Sequence, residues 1–127
     1  MNPKEFRAEL NKIMPGYKWT LHKSVCPDKY LSATGTQSSG SNRLSTLHVE
    51  RREACAGSGH PRYEAKSAGY GTKSPWMHAA VGRSLAQALR YLQDHYKAKA
   101  STYRSLEANL QAGRAPKLEA VRQGEPQ

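Results

Sequence analysis

Four segments between residues 17 and 68 have the composition of short β-strands, and short links join them. Residues 17–25 alternate apolar Tyr17, Trp19 and Leu21 with polar side chains, which is the period of a half-buried strand. Residues 30–36, 43–52 and 62–68 give three further strands, separated by turns rich in proline, glycine and serine. Consecutive strands with short links usually pair as neighbours, so the sequence predicts a four-stranded antiparallel meander.

A short amphipathic helix precedes the predicted sheet. Asn2 can cap a helix that Pro3 opens, and Phe6, Leu10 and Ile13 then recur at spacings of four and three residues. A proline–glycine pair at residues 15–16 ends the pattern. A helix of this length is stable only when its apolar face packs on the rest of the chain.

A second, much longer helical pattern follows the predicted sheet. Ser74 before Pro75 has the form of an N-cap, and apolar residues then recur through Leu92 and beyond at alternating spacings of four and three. Gly82 lies inside this pattern, which favours a close contact there. A helix of about 35 residues would be near 50 Å long, more than a small sheet covers. Either it bends back near residues 97–101, or its second half packs on another chain through Tyr96, Tyr103, Leu106 and Leu110.

These patterns together predict the fold class and the domain organisation. We expect an α+β fold with an N-terminal helix, a four-stranded antiparallel sheet and a long C-terminal helix, continuous or broken, packed on one face. The 127 residues suit a single domain over residues 1–112. Residues 113–127, which begin at a glycine and contain two prolines, are expected to be a disordered tail.

The net charge of +10 bears on the partner rather than on the fold. Nucleic acid or a nucleoprotein is the first expectation, followed by an acidic protein surface and anionic lipid. Aromatic side chains interspersed with cations on the sheet are typical of proteins that hold single strands. Trp19 and Tyr63 are expected in the core, whereas Tyr70 lies beside a turn. The candidate binding residues are Lys73, Arg83 and Arg90 from the helix, with Tyr70, Arg43, Arg51, Arg52, Arg62 and Lys66 from the sheet and its turns.

The glycine-rich turn at residues 69–74 is a candidate phosphate site. Two glycines and Lys73 precede the expected helix N-terminus, where free amides and the helix dipole attract anions. The spacing is not that of a P-loop. The same glycines also suit a tight strand-to-helix connection.

The order of elements and this turn resemble the double-stranded-RNA-binding domain over residues 2–92. The resemblance rests on Asn2-Pro3-Lys4 opening the first helix, on Gly69-Tyr-Gly-Thr-Lys-Ser74, and on the alanines from Ala79 onward. It implies that the first helix and the first inter-strand loop contact two minor grooves, while the last helix's N-terminus crosses the phosphates between them. The family's lysine pair is represented by Lys73 alone, and a fourth strand is added.

Two alternatives to nucleic-acid binding stay open. In size and charge the chain resembles small phage-encoded inhibitors of host defence complexes, such as anti-CRISPR proteins, which would act by occluding a surface. Here the turns at residues 38–42 and 54–61 or the helix face would make the contact. The second alternative is a structural homodimer.

Catalytic and metal-binding patterns are sparse in the sequence. Five histidines are scattered, and Cys26 and Cys55 could be free, form a disulfide, or join His60 at a zinc ion. We therefore expect no enzyme activity and no cofactor. A signal peptide and a membrane span are also not expected, which favours the cytoplasm, or the host cytoplasm if the protein is phage-encoded.

Overall fold

The sheet has five strands. The computed structural model describes residues 1–54 and 59–114, and its strands are β1 (Lys18–Leu21), β2 (Tyr30–Ser39), β3 (Asn42–Arg52), β4 (Arg62–Ala68) and β5 (Trp76–Gly82). They pair antiparallel in the order β1-β2-β3-β4-β5. The predicted antiparallel meander and α+β class are confirmed, whereas the prediction of four strands is wrong by one.

The additional strand is β5, which occupies the segment that the sequence predicted as the start of the long helix. Its residues pair with β4 from Trp76 opposite Ala68 to Gly82 opposite Tyr63. The Ser74 hydroxyl donates to the carbonyl of Tyr70 within the turn. The backbone hydrogen bonds that β5 makes with β4 therefore outweigh the local cap signals at residues 74–75.

The long helix, α2 (Leu85–Arg114), begins at a different cap. The Ser84 hydroxyl oxygen accepts from the amide of Gln87 at 3.1 Å, and the Gln87 side-chain oxygen accepts from the amide of Arg83 at 2.7 Å. This is a capping-box arrangement shifted by one residue. The helix is a single element of 30 residues, so the predicted bend at residues 97–101 is absent, and it continues one residue past Gly113.

The first helix, α1 (Pro3–Ile13), agrees with its prediction. The Asn2 side-chain oxygen accepts from the amide of Glu5 at 2.8 Å, and the Glu5 carboxylate accepts from the amide of Asn2 at 3.0 Å. Phe6 and Leu10 are fully buried. The helix is therefore held at one end by a capping box and along one face by the core.

One face of the sheet is covered by the helices, and the described residues leave the other face open. Register places Leu21, Ala33, Val49, Ala65 and Ala80 in one row across all five strands. These residues share a face with buried Trp19, Leu31, Leu47 and Tyr63, and α1 and the first turns of α2 supply the rest of the core with Phe6, Leu10, Leu85, Ala88, Leu89 and Leu92. The alternate residues form the other face, which we call the open face.

The chain divides into two compact units, residues 1–93 and residues 94–127. The first contains α1, the sheet and the start of α2. The described part of the second is the rest of α2, residues 94–114. The predicted disordered tail falls almost entirely on residues 115–127, which lie outside the described residues.

Gly35 is needed because the ring of Trp19 lies directly against it. A Cβ added at Gly35 would lie 2.8 Å from the Trp19 ring, closer than real contacts allow. We expect Gly35→Ala to lower the free energy of unfolding by about 1–3 kcal/mol through overpacking. Urea denaturation followed by circular dichroism measures this.

Gly16→Ala is the matched control, since a Cβ there meets nothing within 4 Å. Equal destabilisation by the two substitutions would contradict the Trp19–Gly35 contact as the cause.

Candidate nucleic-acid interface

The open face is a polar surface that crosses all five strands. Thr20, Thr34, His48, Lys66 and Ala79 form one row of cross-strand neighbours. A second row contains Ser32, Glu50, Glu64 and Val81, and a third contains Tyr30, Arg52 and Arg62. The period-two alternation that buries the other face is therefore what presents these side chains together.

An exposed aromatic ring stands on this face at its β5 edge. Trp76 is 46% exposed, and the ammonium of Lys66 lies 4.8 Å from its ring centre. The His48 ring lies 6.0 Å from Trp76, and the His22 ring lies 5.8 Å from His48. Three flat rings thus follow one another across the sheet, with a cation above the outermost one.

Four of the open-face side chains form a chain of hydrogen bonds. The Glu50 carboxylate lies 3.4 Å from Nε2 of His48, Nδ1 of His48 lies 3.2 Å from the Thr34 hydroxyl, and that hydroxyl lies 2.6 Å from Nε2 of His22. Because an ionised carboxylate only accepts, neutral His48 must carry its proton on Nε2. Thr34 then donates to Nδ1 of His48 and accepts from His22. One proton arrangement therefore satisfies the whole chain.

The surroundings of this chain move two pKa values in the same direction. Burial lowers the pKa of His48 and outweighs the opposing hydrogen bond from Glu50. Burial would raise the pKa of Glu50, but hydrogen bonds from Tyr30 and His48 and the charge of Arg52 lower it. At neutral pH the pair is therefore a neutral imidazole beside a carboxylate.

Arg52 completes the polar surface beside this pair. Its guanidinium lies 5.2 Å from the centre of the Tyr30 ring and 3.7 Å from the Glu50 carboxylate. Burial and the hydrogen bond to Glu50 raise the pKa of the Tyr30 hydroxyl. Arg62 similarly lies 3.3 Å from the Glu64 carboxylate. Both acidic residues of the open face are thus neutralised by neighbouring arginines.

A groove of about 620 Å³ adjoins the end of β5 and the start of α2. Arg62 and Arg83, both predicted as binding residues, line it together with Tyr91, Val81 and Gly82. Gly82 has no room for a side chain, because an added Cβ would lie 2.7 Å from the amide nitrogen of Ala88. The close contact predicted at Gly82 is therefore present, at a strand end rather than inside a helix.

Arg51 is not a surface cation, contrary to its prediction as a binding residue. It lies on the covered face, 7% exposed, where its Nε donates to the Tyr63 hydroxyl at 3.0 Å and its guanidinium lies 3.4 Å from the Glu53 carboxylate. Arg43 is half-buried, donates to Thr46 at 3.4 Å, and has a buried Nε without a hydrogen-bond partner. Neither residue joins the open-face surface.

The glycine turn connects two strands and does not open a helix. The amide of Gly71 donates to the carbonyl of Arg43, and Gly71 has a positive φ of 101°. Tyr70 and Lys73 are both exposed in this turn. The predicted helix dipole behind Lys73 is therefore absent, and the alanines at 79–80 that support the double-stranded-RNA-binding resemblance belong to β5.

The remaining predicted residues lie on α2. Arg90 is exposed within the first unit. In the second unit Tyr96 is half-buried, while Tyr103, Leu106 and Leu110 are exposed by 64%, 53% and 71%. These three remain available for an association partner.

The sequence missed three members of the interface, namely Trp76, His22 and His48. Alternation had already placed His22 and His48 on polar strand faces, but a shared face became visible only once the register was known. Trp76 was missed because its segment was predicted as helix. The core positions predicted for Trp19 and Tyr63 are confirmed, each being 5% exposed.

The described residues contain neither a metal-binding cluster nor a helix suited to a membrane. Residues 1–54 and 59–114 hold no group of three histidine, cysteine or carboxylate side chains suited to a metal ion. Neither helix in those ranges has the length and apolarity that crossing a membrane requires. Cys26 is exposed and forms no disulfide with a described residue, and Cys55 lies outside the described residues, so the predicted alternatives for that pair stay open.

Comparison with known proteins gives no relative for this chain. No family model matches it, and neither a curated protein nor a solved structure is significantly similar. The resemblances drawn from the sequence thus stay predictions.

The lowered pKa of His48 makes stability depend on pH. The unfolded chain binds a proton at this position more readily than folded His48 does. The contribution of neutral His48 to the free energy of unfolding is therefore complete above about pH 6.5 and is lost as pH falls below that value. Glu50 acts with the same sign at lower pH. Between about pH 7.5 and about pH 5.5, we expect the urea midpoint of His48→Gln to fall less than that of the wild type.

Glu50, Lys66 and His22 are the charged and titratable neighbours that act on His48. An unchanged pH dependence in His48→Gln would contradict the assignment.

Proposed function

We propose that this protein is a non-enzymatic binder of nucleic acid, alone or within a nucleoprotein, and that the open face holds a single strand. One observation carries the proposal. The exposed ring of Trp76 stands on an uncovered sheet face with the Lys66 ammonium 4.8 Å from its centre. Bases stack on such rings whatever their sequence, while the cation attracts the backbone.

The charge distribution supports an anionic partner. Glu50 and Glu64 of the open face are each within 4 Å of an arginine, so neither presents an unopposed negative charge. Lys66 faces a ring, and Arg83 extends the positive surface into the adjoining groove. Within an overall charge of +10, Lys66 and Arg83 form no salt bridge among the described residues, so these two cations can compensate phosphates without releasing an acidic partner.

The shape favours a single strand over a duplex. The rings of His22, His48 and Trp76 succeed one another at 5.8 and 6.0 Å across the strands. Unstacked bases present flat faces to rings, whereas paired bases in a duplex present only edges within the grooves. The sequence resemblance implied that a helix N-terminus directly after the glycine turn would contact the duplex phosphates. That turn leads into the strand β5 instead, so this contact to a duplex is not available.

Occlusion of a host defence complex remains an alternative, and the same experiment separates it. Such an inhibitor would use this face against a protein or an assembled nucleoprotein. It would then show no salt-dependent affinity for a free strand.

The test is binding of a fluorescent oligonucleotide, single-stranded or duplex, to the full chain over a series of salt concentrations. We expect Trp76→Ala to weaken single-strand binding by roughly 5- to 150-fold, the usual effect of one stacking ring. We expect Lys66→Ala to weaken binding and to reduce the slope of log affinity against log salt by about 0.7. Quenching of tryptophan fluorescence should accompany binding, since Trp19 is buried and Trp76 is exposed.

Two substitutions elsewhere serve as matched controls. Tyr103→Ala removes an exposed aromatic ring, 64% exposed, from the second unit, and Lys12→Ala removes one exposed charge from α1. Both should keep most of the affinity. Absence of binding at low salt, or equal losses in the controls, would overturn the proposal.

A further inference from the structure

An apolar stripe on α2 continues beyond the part of the helix that packs on the sheet. Leu85, Leu89 and Leu92 are buried in the first unit. The same alternation of four- and three-residue spacing then runs through Tyr96, Lys99, Tyr103, Leu106 and Leu110. A strict seven-residue repeat over this length is the pattern of a left-handed coiled coil, in which a second helix covers the stripe.

The chain does not cover this stripe with its own described residues. α2 is one uninterrupted helix to Arg114, so its second half does not fold back on its first. Every side chain from Lys97 to Arg114 is exposed. Residues 97–114 span about 27 Å at 1.5 Å per residue, and an isolated helix of that length is only marginally stable in water.

The charges around the stripe indicate what kind of helix fits it. The cations Arg90, Lys97 and Arg104 recur at seven-residue intervals along a separate line, each one position after a stripe residue. The positions that flank the stripe are nearly neutral, with Thr102, Asn109 and a single acid, Glu107, before Arg114 at the end. A strongly acidic or basic partner would find no complementary flank, whereas an identical helix meets no repulsion there.

We propose that the second halves of two α2 helices, residues 96–113, pair as an antiparallel coiled coil that makes the protein a homodimer. Lys99 selects the orientation. A parallel, in-register pair would face two Lys99 ammonium groups across one layer, whereas a two-fold axis between Tyr103 and Leu106 places Lys99 opposite Leu110 of the other copy. The lysine stem then packs on leucine while its charge remains in solvent. The proposal is independent of nucleic-acid binding.

Sedimentation of the full chain at concentrations up to about 100 µM tests the association, because dimerisation follows mass action. We expect a dimer for the wild type and a monomer for Leu106→Glu. Ala108→Glu adds the same charge two residues away, on the opposite side of the helix, and should stay dimeric. A monomeric wild type, a dimeric Leu106→Glu, or equal dissociation by Ala108→Glu would overturn the proposal.

Orientation is tested by disulfide cross-linking in a background with Cys26→Ser and Cys55→Ser. Mixing Lys99→Cys with Leu110→Cys should give a heterodimeric cross-link, because the two positions face each other. Leu110→Cys alone should not, since its two copies would lie about 16 Å apart along the axis. Efficient cross-linking by Leu110→Cys alone would overturn the antiparallel register.

Nucleic-acid binding by Leu106→Glu keeps the two proposals separate. Retained binding by the monomer with loss of dimerisation is the expected result. A dimer that binds no nucleic acid would remove the proposed function and leave the dimer standing.

Discussion

The covered face of the sheet has small residues at its middle, and the rest of the structure depends on them. The middle of that face carries the small residues Ala33, Gly35 and Ala65. They leave room for the ring of Trp19 to pack directly against Gly35. The helices add the large, fully buried side chains of Phe6, Leu10 and Leu85 to those that the sheet itself supplies, chiefly Trp19, Tyr63 and Val49. Both helices therefore belong on one side of the sheet, because only there do their apolar faces find a complementary surface.

Coverage of one face determines the character of the other. Cross-strand neighbours share a face, so the register that pairs residues on the covered face also fixes which residues are neighbours on the open face. His48 opposite Lys66 and Thr34 opposite His48 follow directly from Val49 opposite Ala65 and Ala33 opposite Val49. The polar surface is thus a consequence of core register, and β5 adds Trp76 at its edge.

Local signals in the sequence were sufficient for some elements and misleading for others. α1 could be predicted because its signals are local. The capping box lies within residues 2–5, and the spacing of Phe6 and Leu10 places both on one apolar face of the helix. β5 could not be found in that way. Its cap-like Ser74 and Pro75 also suit a turn, and pairing with β4 depends on residues 8 to 19 positions away along the hairpin.

The binding residues show the same division. Arg51 follows Leu47 and Val49 at period two, so alternation alone places it on the covered face, where the Tyr63 hydroxyl and Glu53 accept its hydrogen bonds. Its charge had suggested a surface role. The histidine chain could not be predicted from spacing, since His22, Thr34 and His48 come from three different places in the sequence. Only the register brings their side chains within hydrogen-bond distance.

The two proposed roles belong to separate parts of the chain: binding of a nucleic-acid strand to the sheet, and dimerisation to the second half of α2. The open face belongs to residues 1–93, whose core is closed by buried leucines of α2, whereas residues 97–114 have no buried side chain to hold them helical. In the proposed dimer, contacts between the two helices would order residues 97–114, and the free energy of that association would depend on protein concentration in a way that folding of the sheet does not. A dimer also carries two open faces on one particle. Once one face holds a strand, the second binds at a raised effective concentration, provided that the strand can reach both. Association through α2 would then increase affinity for long strands more than for short ones, without a new contact on the sheet.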